Sequence, residues 1–146
     1  LSEHEQTAER HLTDEELARL RATFASVPFV GLLGLEFVGA ERGAATFALA
    51  TRAELTRMEG ILHGGALASL LDTAAAFAVH TLLPPGGRTL TVDLTIHYLR
   101  PVGRGRVEAR ARVLREGRRL VILSVEATDE TGALVATATT TYVKQA

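Results

Sequence analysis

GILHGGALASLLDTAAAFAVHTLL, residues 60–83, is the stretch whose reading decides the fold. From Ala66 onward it is rich in Ala and Leu, both strong helix formers, and nothing interrupts it before Pro84 and Pro85. Nearly every side of that helix is apolar, as expected of a helix wrapped by other structure rather than lying on a surface. Asp72 is the exception. A carboxylate there must find partners, stay hydrated in a cleft, or take up a proton at a raised pKa, because an unpaired buried charge is costly. Each of these outcomes also equips a general base or a nucleophile.

The start of the helix points the same way. His63, Gly64 and Gly65 precede the helical run. Glycines at that point let a ligand approach the backbone closely, while free amide N–H groups and the positive end of the helix dipole face outward. This is a donor set for an anion or a polarised carbonyl oxygen. His63 and Asp72 are nine residues apart. On a helix that is about two and a half turns and about 13.5 Å, so the two side chains lie on opposite faces and cannot touch. If the amide donors and Asp72 act on one substrate, they come from two copies of the chain packed antiparallel, a homodimer with shared sites.

The remaining composition bounds the class. At 146 residues one domain is expected, over residues 12–146, with residues 1–11 as a flexible terminus. The absence of cysteine excludes disulfides and thiolate metal sites and fits a cytoplasmic protein. No apolar run reaches the length of a membrane span and the N-terminal residues are polar, so no membrane association is expected. A net charge of −1 and sparse aromatics argue against a nucleic-acid partner. The five histidines show no metal-binding spacing and no dinucleotide or nucleoside-triphosphate motif occurs, so no metal and no cofactor are expected. Between Arg88 and Arg119, however, nine arginines face three acids. Solvated strand faces and turns account for most of them, but the excess is also suited to a polyanionic small ligand.

Along the chain, Thr13 and Glu16 form a capping box that opens a first helix, with Leu17, Leu20 and Phe24 as its apolar stripe and Pro28 near its end. Residues 29–33 read as a connector that packs on this helix or lines a pocket. Residues 35–41 and 44–51 read as a hairpin around Gly43, and 52–59 as a loop leading into the long helix. Four strands follow, at 89–99, 106–114, 120–128 and 134–143. In the first, Leu90, Val92, Leu94, Ile96 and Tyr98 alternate with Thr91, Asp93, Thr95 and His97, which places the two sets on opposite faces. Short loops favour antiparallel neighbours. The expected architecture is therefore α+β, a curved antiparallel sheet wrapped around a long central helix, with one extra N-terminal helix.

With Gly60, His63-Gly64-Gly65, Leu70 and Asp72 at this spacing, followed by VDLTIHYLRP at residues 92–101, the sequence resembles the hotdog-fold acyl-CoA thioesterases of the phenylacetate-pathway (PaaI-type) branch. The resemblance covers roughly residues 30–144. It implies hydrolysis of an acyl-CoA or aryl-CoA thioester, with CoA as part of the substrate. The Gly64 N–H would bind the thioester carbonyl oxygen, and Asp72 of the facing subunit would act as nucleophile or as general base. Thr91 falls where the family often has a Ser or Thr that helps position water or substrate; His63 would orient the loop before the helix, and His63, Gly65, Arg57, Arg100 and Arg104 make up the expected substrate-binding set. The family commonly pairs two dimers into a homotetramer, a dimer of dimers.

One position departs from the family pattern. Six residues before His63 the branch often has Asn or Gln, and here stands Arg57. Arg cannot accept a hydrogen bond and would put positive charge beside Asp72, lowering its pKa; a shift of register would instead bring Glu59 or Thr56 into the site. Arg100 and Arg104 flank the turn after the HYLRP segment and, with Arg118 or Arg119, are suited to CoA phosphates. The small residues Ala66, Ser69, Ala74, Ala75 and Ala76 suit either an acyl cavity along the helix or a tight helix contact across a dimer. The reading from a different class is a non-catalytic acyl-CoA binding module, in which Asp72 is a hydrogen-bonded core carboxylate.

Overall fold

The computed structural model describes residues 2–145. The elements in order are α1 (Glu3–Arg10), α2 (Asp14–Ser26), α3 (Pro28–Leu33), β1 (Glu36–Glu41), β2 (Ala44–Ala50), α4 (Gly64–His80), β3 (Arg88–Tyr98), β4 (Arg106–Glu116), β5 (Leu120–Thr128) and β6 (Leu134–Gln145). Between β2 and α4 the chain makes two short 3-10 turns, Ala53–Leu55 and Met58–Gly60. The strands form one sheet in the order β1-β2-β4-β5-β6-β3, with every neighbouring pair antiparallel. This is the hotdog arrangement, a sheet around the apolar helix α4.

Strand alternation selects which face meets the helix. Val107, Ala109 and Ala111 of β4 and Val121, Leu123, Val125 and Ala127 of β5 are buried, while Arg110, Arg112 and Glu126 between them stay exposed. From α4 the buried set is Ala66, Leu67, Leu70, Leu71, Ala74, Ala75, Phe77, Ala78 and Val79. The side left open carries Gly65, Ser69, Asp72, Thr73, Ala76 and His80, spaced three and four apart and therefore on one face.

Three helices precede the sheet instead of one. α1 occupies the segment read as a flexible terminus. Ser2 Oγ accepts the Glu5 N–H while the Glu5 carboxylate accepts the Ser2 N–H, and the Arg42 N–H donates to the Arg10 carbonyl at 2.7 Å. The connector is α3, begun by Pro28, whose missing N–H is harmless at a first helical position, and closed by Gly34 at φ 70°. Phe24 of α2 packs with Phe37, Phe47 and Phe77, ring centroids 5.0–5.7 Å apart, and so fixes α2 against both sheet and α4.

β3, an edge strand, does not alternate in the simple way its sequence suggests. Thr91 pairs with Tyr142, but the next pair is Asp93 with Thr141, so an extra residue, Val92, bulges from the strand. Leu94, Ile96 and Tyr98 then pair with Thr140, Ala138 and Ala136. Directly opposed residues share a face, so Thr91 lies on the same helix-facing side as Leu94, Ile96 and Tyr98. The Asp93 carboxylate holds the bulge by accepting the Thr141 N–H at 3.1 Å.

Candidate active site

Asp72 sits midway along α4 and is half-buried. The Thr91 hydroxyl donates to its Oδ1 at 2.9 Å. The Tyr142 hydroxyl donates to the same Oδ1 and also lies 2.7 Å from the Asp72 backbone carbonyl. Cross-strand pairing across the bulge brings these two hydroxyls together. Oδ2 accepts no hydrogen bond among the described residues, and it is not among their sealed, unsatisfied polar atoms. One carboxylate oxygen is thus clamped and the other is open to a cavity of about 240 Å³ lined by Val27, Phe29, Val30, Ala76, Phe77 and Leu90 among others. Burial, and then the hydrogen bond to Asp72, push the Tyr142 phenol far above its usual range, so it remains a protonated donor at neutral pH.

The other half of the site is the start of α4. His63 is the N-cap; its Nδ1 accepts the Gly65 N–H at 2.8 Å. Its own N–H donates to the Leu55 carbonyl, and the preceding Leu62 N–H donates to the Val102 carbonyl, each at 2.8 Å, which ties the loop to the chain beyond β3. The Gly64 N–H has no acceptor among the described residues. With Gly65 taken by the cap, Gly64 presents the free amide at the positive end of the helix dipole. Tyr98 closes over it: its hydroxyl donates to the Gly64 carbonyl at 2.7 Å, and a Cβ on Gly64 would touch its ring at 3.5 Å. Partial burial raises the Tyr98 pKa.

Within one protomer these halves stay apart. Gly64 borders a cavity of about 280 Å³ with Arg57, Leu67, Tyr98 and Arg100, whereas Asp72 and Thr91 border the cavity described above. Along α4 the eight residues from Gly64 to Asp72 rise about 12 Å. Phe29 lies between, lining both the Asp72 cavity and the shallow depression at His63 and Gly65.

Several residues fall elsewhere than the sequence reading put them. Arg57 shares the Gly64 cavity rather than that of Asp72 in the same chain. Thr56 lines the depression at His63, its hydroxyl donating to the Ala53 carbonyl at 2.7 Å; Glu59 is exposed at φ 67°. Arg100 joins Arg57, but Arg104 borders a separate surface hollow with Asp129 and Glu130. Arg118 and Arg119 lie in the β4–β5 turn, where the Lys144 N–H donates to the Arg119 carbonyl at 2.7 Å, at the opposite end of the sheet from Arg100. Of the small helix residues, Ala66, Ala74 and Ala75 are buried in the core, Ala66 also edging the depression at His63, and Ser69 and Ala76 are half-buried beside cavities.

Tyr142 and Tyr98 were missed. Tyr142 carried a signal: it continues the even-numbered, core-facing series of β6, and a buried phenol needs a hydrogen-bond partner. Among the described residues no three His, Asp or Glu side chains cluster as a metal site, and no helix is long and apolar enough to cross a membrane.

Known proteins share this architecture. The thioesterase superfamily profile matches residues 59–136, from the loop before His63 into β6. The chain is similar to a putative esterase of Saccharolobus solfataricus, 37% identical over 113 residues, covering 76% of this chain and 73% of that one. It is 34% identical over 133 residues to the medium/long-chain acyl-CoA thioesterase YigI of Salmonella typhimurium, covering 80% and 85%. Among solved structures, a mutant of the phenylacetic acid degradation protein PaaI from Thermus thermophilus superposes with a TM-score of 0.74 at 37% identity, covering 80% of this chain and 98% of that one. The match extends over the segment that carries His63, Gly64 and Asp72; the chain belongs to the thioesterase superfamily, as a PaaI-type hotdog thioester hydrolase.

Proposed function

We propose that the protein hydrolyses an acyl-CoA or aryl-CoA thioester at sites assembled between two copies of the chain. The Gly64 N–H of one copy binds the thioester carbonyl oxygen, and Oδ2 of Asp72 from the facing copy either attacks the carbonyl carbon or takes a proton from the water that does. In the first route the tetrahedral oxyanion resting on the amide expels CoA thiolate and leaves a mixed anhydride on Asp72, which water hydrolyses to the free acid and the restored carboxylate; in the second the oxyanion formed by water collapses directly to the acid and CoA thiolate, and in both the thiolate recovers a proton. Thr91 and Tyr142 hold Oδ1 and so aim Oδ2. His63 occupies Gly65 and leaves Gly64 free. The observation that carries this reading is the asymmetric carboxylate, with one oxygen held by two hydroxyls and the other open to a cavity.

Separation of Gly64 from Asp72 within the protomer supports the shared site. So does β3, an edge strand on which Leu90, Val92 and Tyr98 are about half exposed, as is Leu99 just beyond it, an unpaired margin suited to a second copy. Arg57 and Arg100, which line one cavity with Gly64, would receive the CoA phosphates. Pairing of dimers into a tetramer would leave this chemistry unchanged.

The decisive experiment converts Asp72→Asn and follows both turnover and binding over a panel of acyl-CoA and aryl-CoA thioesters. A hydrolase of this design loses turnover and keeps ligand affinity. Absence of hydrolysis by the wild type, with binding intact before and after the change, would make the chain a binding module instead.

A further inference from the structure

A second cavity, of about 360 Å³, lies between α2 and the turn that joins α4 to β3, with neither Asp72 nor Gly64 in its lining. One wall is apolar, made by Leu12, Leu20, Leu83 and Pro84. The turn that carries two of these is closed tightly: the Gly87 N–H donates to the Pro84 carbonyl at 2.9 Å, and a Cβ on Gly87 would stand 2.9 Å from the same oxygen. Most polar groups around the cavity already have partners. Glu16 is paired with Arg42 at 3.1 Å and also accepts the Thr13 N–H at 3.2 Å, so its charge is met inside the protein. Thr81 donates to the Ala78 carbonyl at 2.6 Å and accepts the Gly43 N–H at 2.8 Å, and Thr23 donates to the Arg19 carbonyl at 3.0 Å. Burial lowers the His80 pKa, so that ring adds no charge at pH 7. Arg19 and Arg88 are the exceptions. Both line the cavity, and neither guanidinium has a hydrogen bond or ion pair among the described residues.

The cavity therefore carries two positive charges without an internal counterion, facing an apolar wall held by a closed turn. A guanidinium gives two parallel N–H donors to a carboxylate or a phosphate, and leucine surface is removed from water by an apolar body attached to that head. The volume falls within the range of about 300–1,000 Å³ usual for small-molecule sites. We propose that this cavity is a second ligand site, separate from the Asp72 cavity, for a small anionic amphiphile whose carboxylate or phosphate head is held by Arg19 and Arg88 and whose apolar body lies on Leu12, Leu20, Leu83 and Pro84. A free carboxylic acid and a phosphate monoester are the two sources of that chemistry.

The test reads binding and needs no turnover, so its outcome is independent of the hydrolase reading. Octanoate, octyl phosphate, octanamide and inorganic phosphate are titrated against the 15N-arginine-labelled protein, with the Arg19 and Arg88 Nε–H signals assigned by their loss in Arg19→Gln and Arg88→Gln. The better of the two octyl anions moves both signals and binds about tenfold or more tighter than octanamide and than inorganic phosphate. A tighter octanoate identifies the carboxylic acid as the ligand, and a tighter octyl phosphate the phosphate monoester. Each arginine variant weakens that binding about tenfold, whereas Asp72→Asn leaves it within about twofold and free CoA does not displace it. The proposal is overturned if neither anion binds, if both arginine signals stay still at saturation, or if the amide or inorganic phosphate binds as tightly as the better anion. Unchanged affinity in both arginine variants, or displacement by CoA, overturns it equally.

Discussion

Replacing Tyr142 by Phe deletes one oxygen and leaves the ring in place at a position that is 1% exposed. The oxygen removed donates to Asp72 Oδ1 and lies 2.7 Å from the Asp72 carbonyl. Hydrogen bonds to a charged group contribute about 1.5–3 kcal/mol. Because Asp72 faces a cavity, water can replace part of the loss, so the lower figure applies. About 1.4 kcal/mol is a factor of ten in rate, so kcat should fall about tenfold as Oδ2 loses its fixed direction. KM should stay within about twofold, since the ring that lines the Asp72 cavity is kept and only its oxygen is lost. The alkaline limb of stability gives an independent check. The folded-state pKa of Tyr142 is raised above its ordinary 10.0 by burial and then by Asp72, so the unfolded chain releases this proton first as pH rises. Its contribution is therefore complete below about pH 10 and declines above it by about 1.4 kcal/mol per pH unit towards the folded pKa. Phe carries no such proton. Urea unfolding at neutral and alkaline pH should show a shallower alkaline decline in Tyr142→Phe than in the wild type. A kcat within twofold of wild type, together with an unchanged alkaline slope, would refute the clamp.

Other outcomes follow from the same geometry. Gly65→Ala should cost about 1 kcal/mol in unfolding experiments and lower activity, because its Cβ would meet His63 Nδ1 at 3.0 Å and break the cap; Gly64→Ala, with only ordinary contact to Tyr98, should fold with a melting temperature close to wild type. Asp93→Ala should loosen the bulge that aims Thr91, and in a double-mutant cycle with Thr91→Ala the losses in kcat should be less than additive. Neutralising Arg57 and Arg100 together should raise KM for CoA thioesters more than for short thioesters lacking CoA, while Arg104→Ala, in its separate hollow, should change neither; equal effects on both substrate types would remove the pair from phosphate binding.

The long helix, six strands, their order of appearance and the placing of Asp72 against His63 and Gly64 were all legible in the sequence, since each is local. Period, capping and turn residues act over a few positions, and the distance along a helix follows from its rise. The capping box of Thr13 and Glu16 is formed as read, at 3.1 and 3.2 Å. Tertiary structure alone decided the rest. The face on which Thr91 lies turns on Val92 bulging from β3, and only the pairing with β6 shows it, because one inserted residue reverses every side chain beyond it. Tyr142 reaches Asp72 across seventy residues of sequence, a partnership that no local pattern encodes. The arginines were grouped by nearness in the chain, whereas the sheet brings Arg57 to Arg100 and carries Arg118 and Arg119 to its opposite end. A side chain's chemistry is written where it stands in the chain, but its partners are chosen by how distant strands come into register.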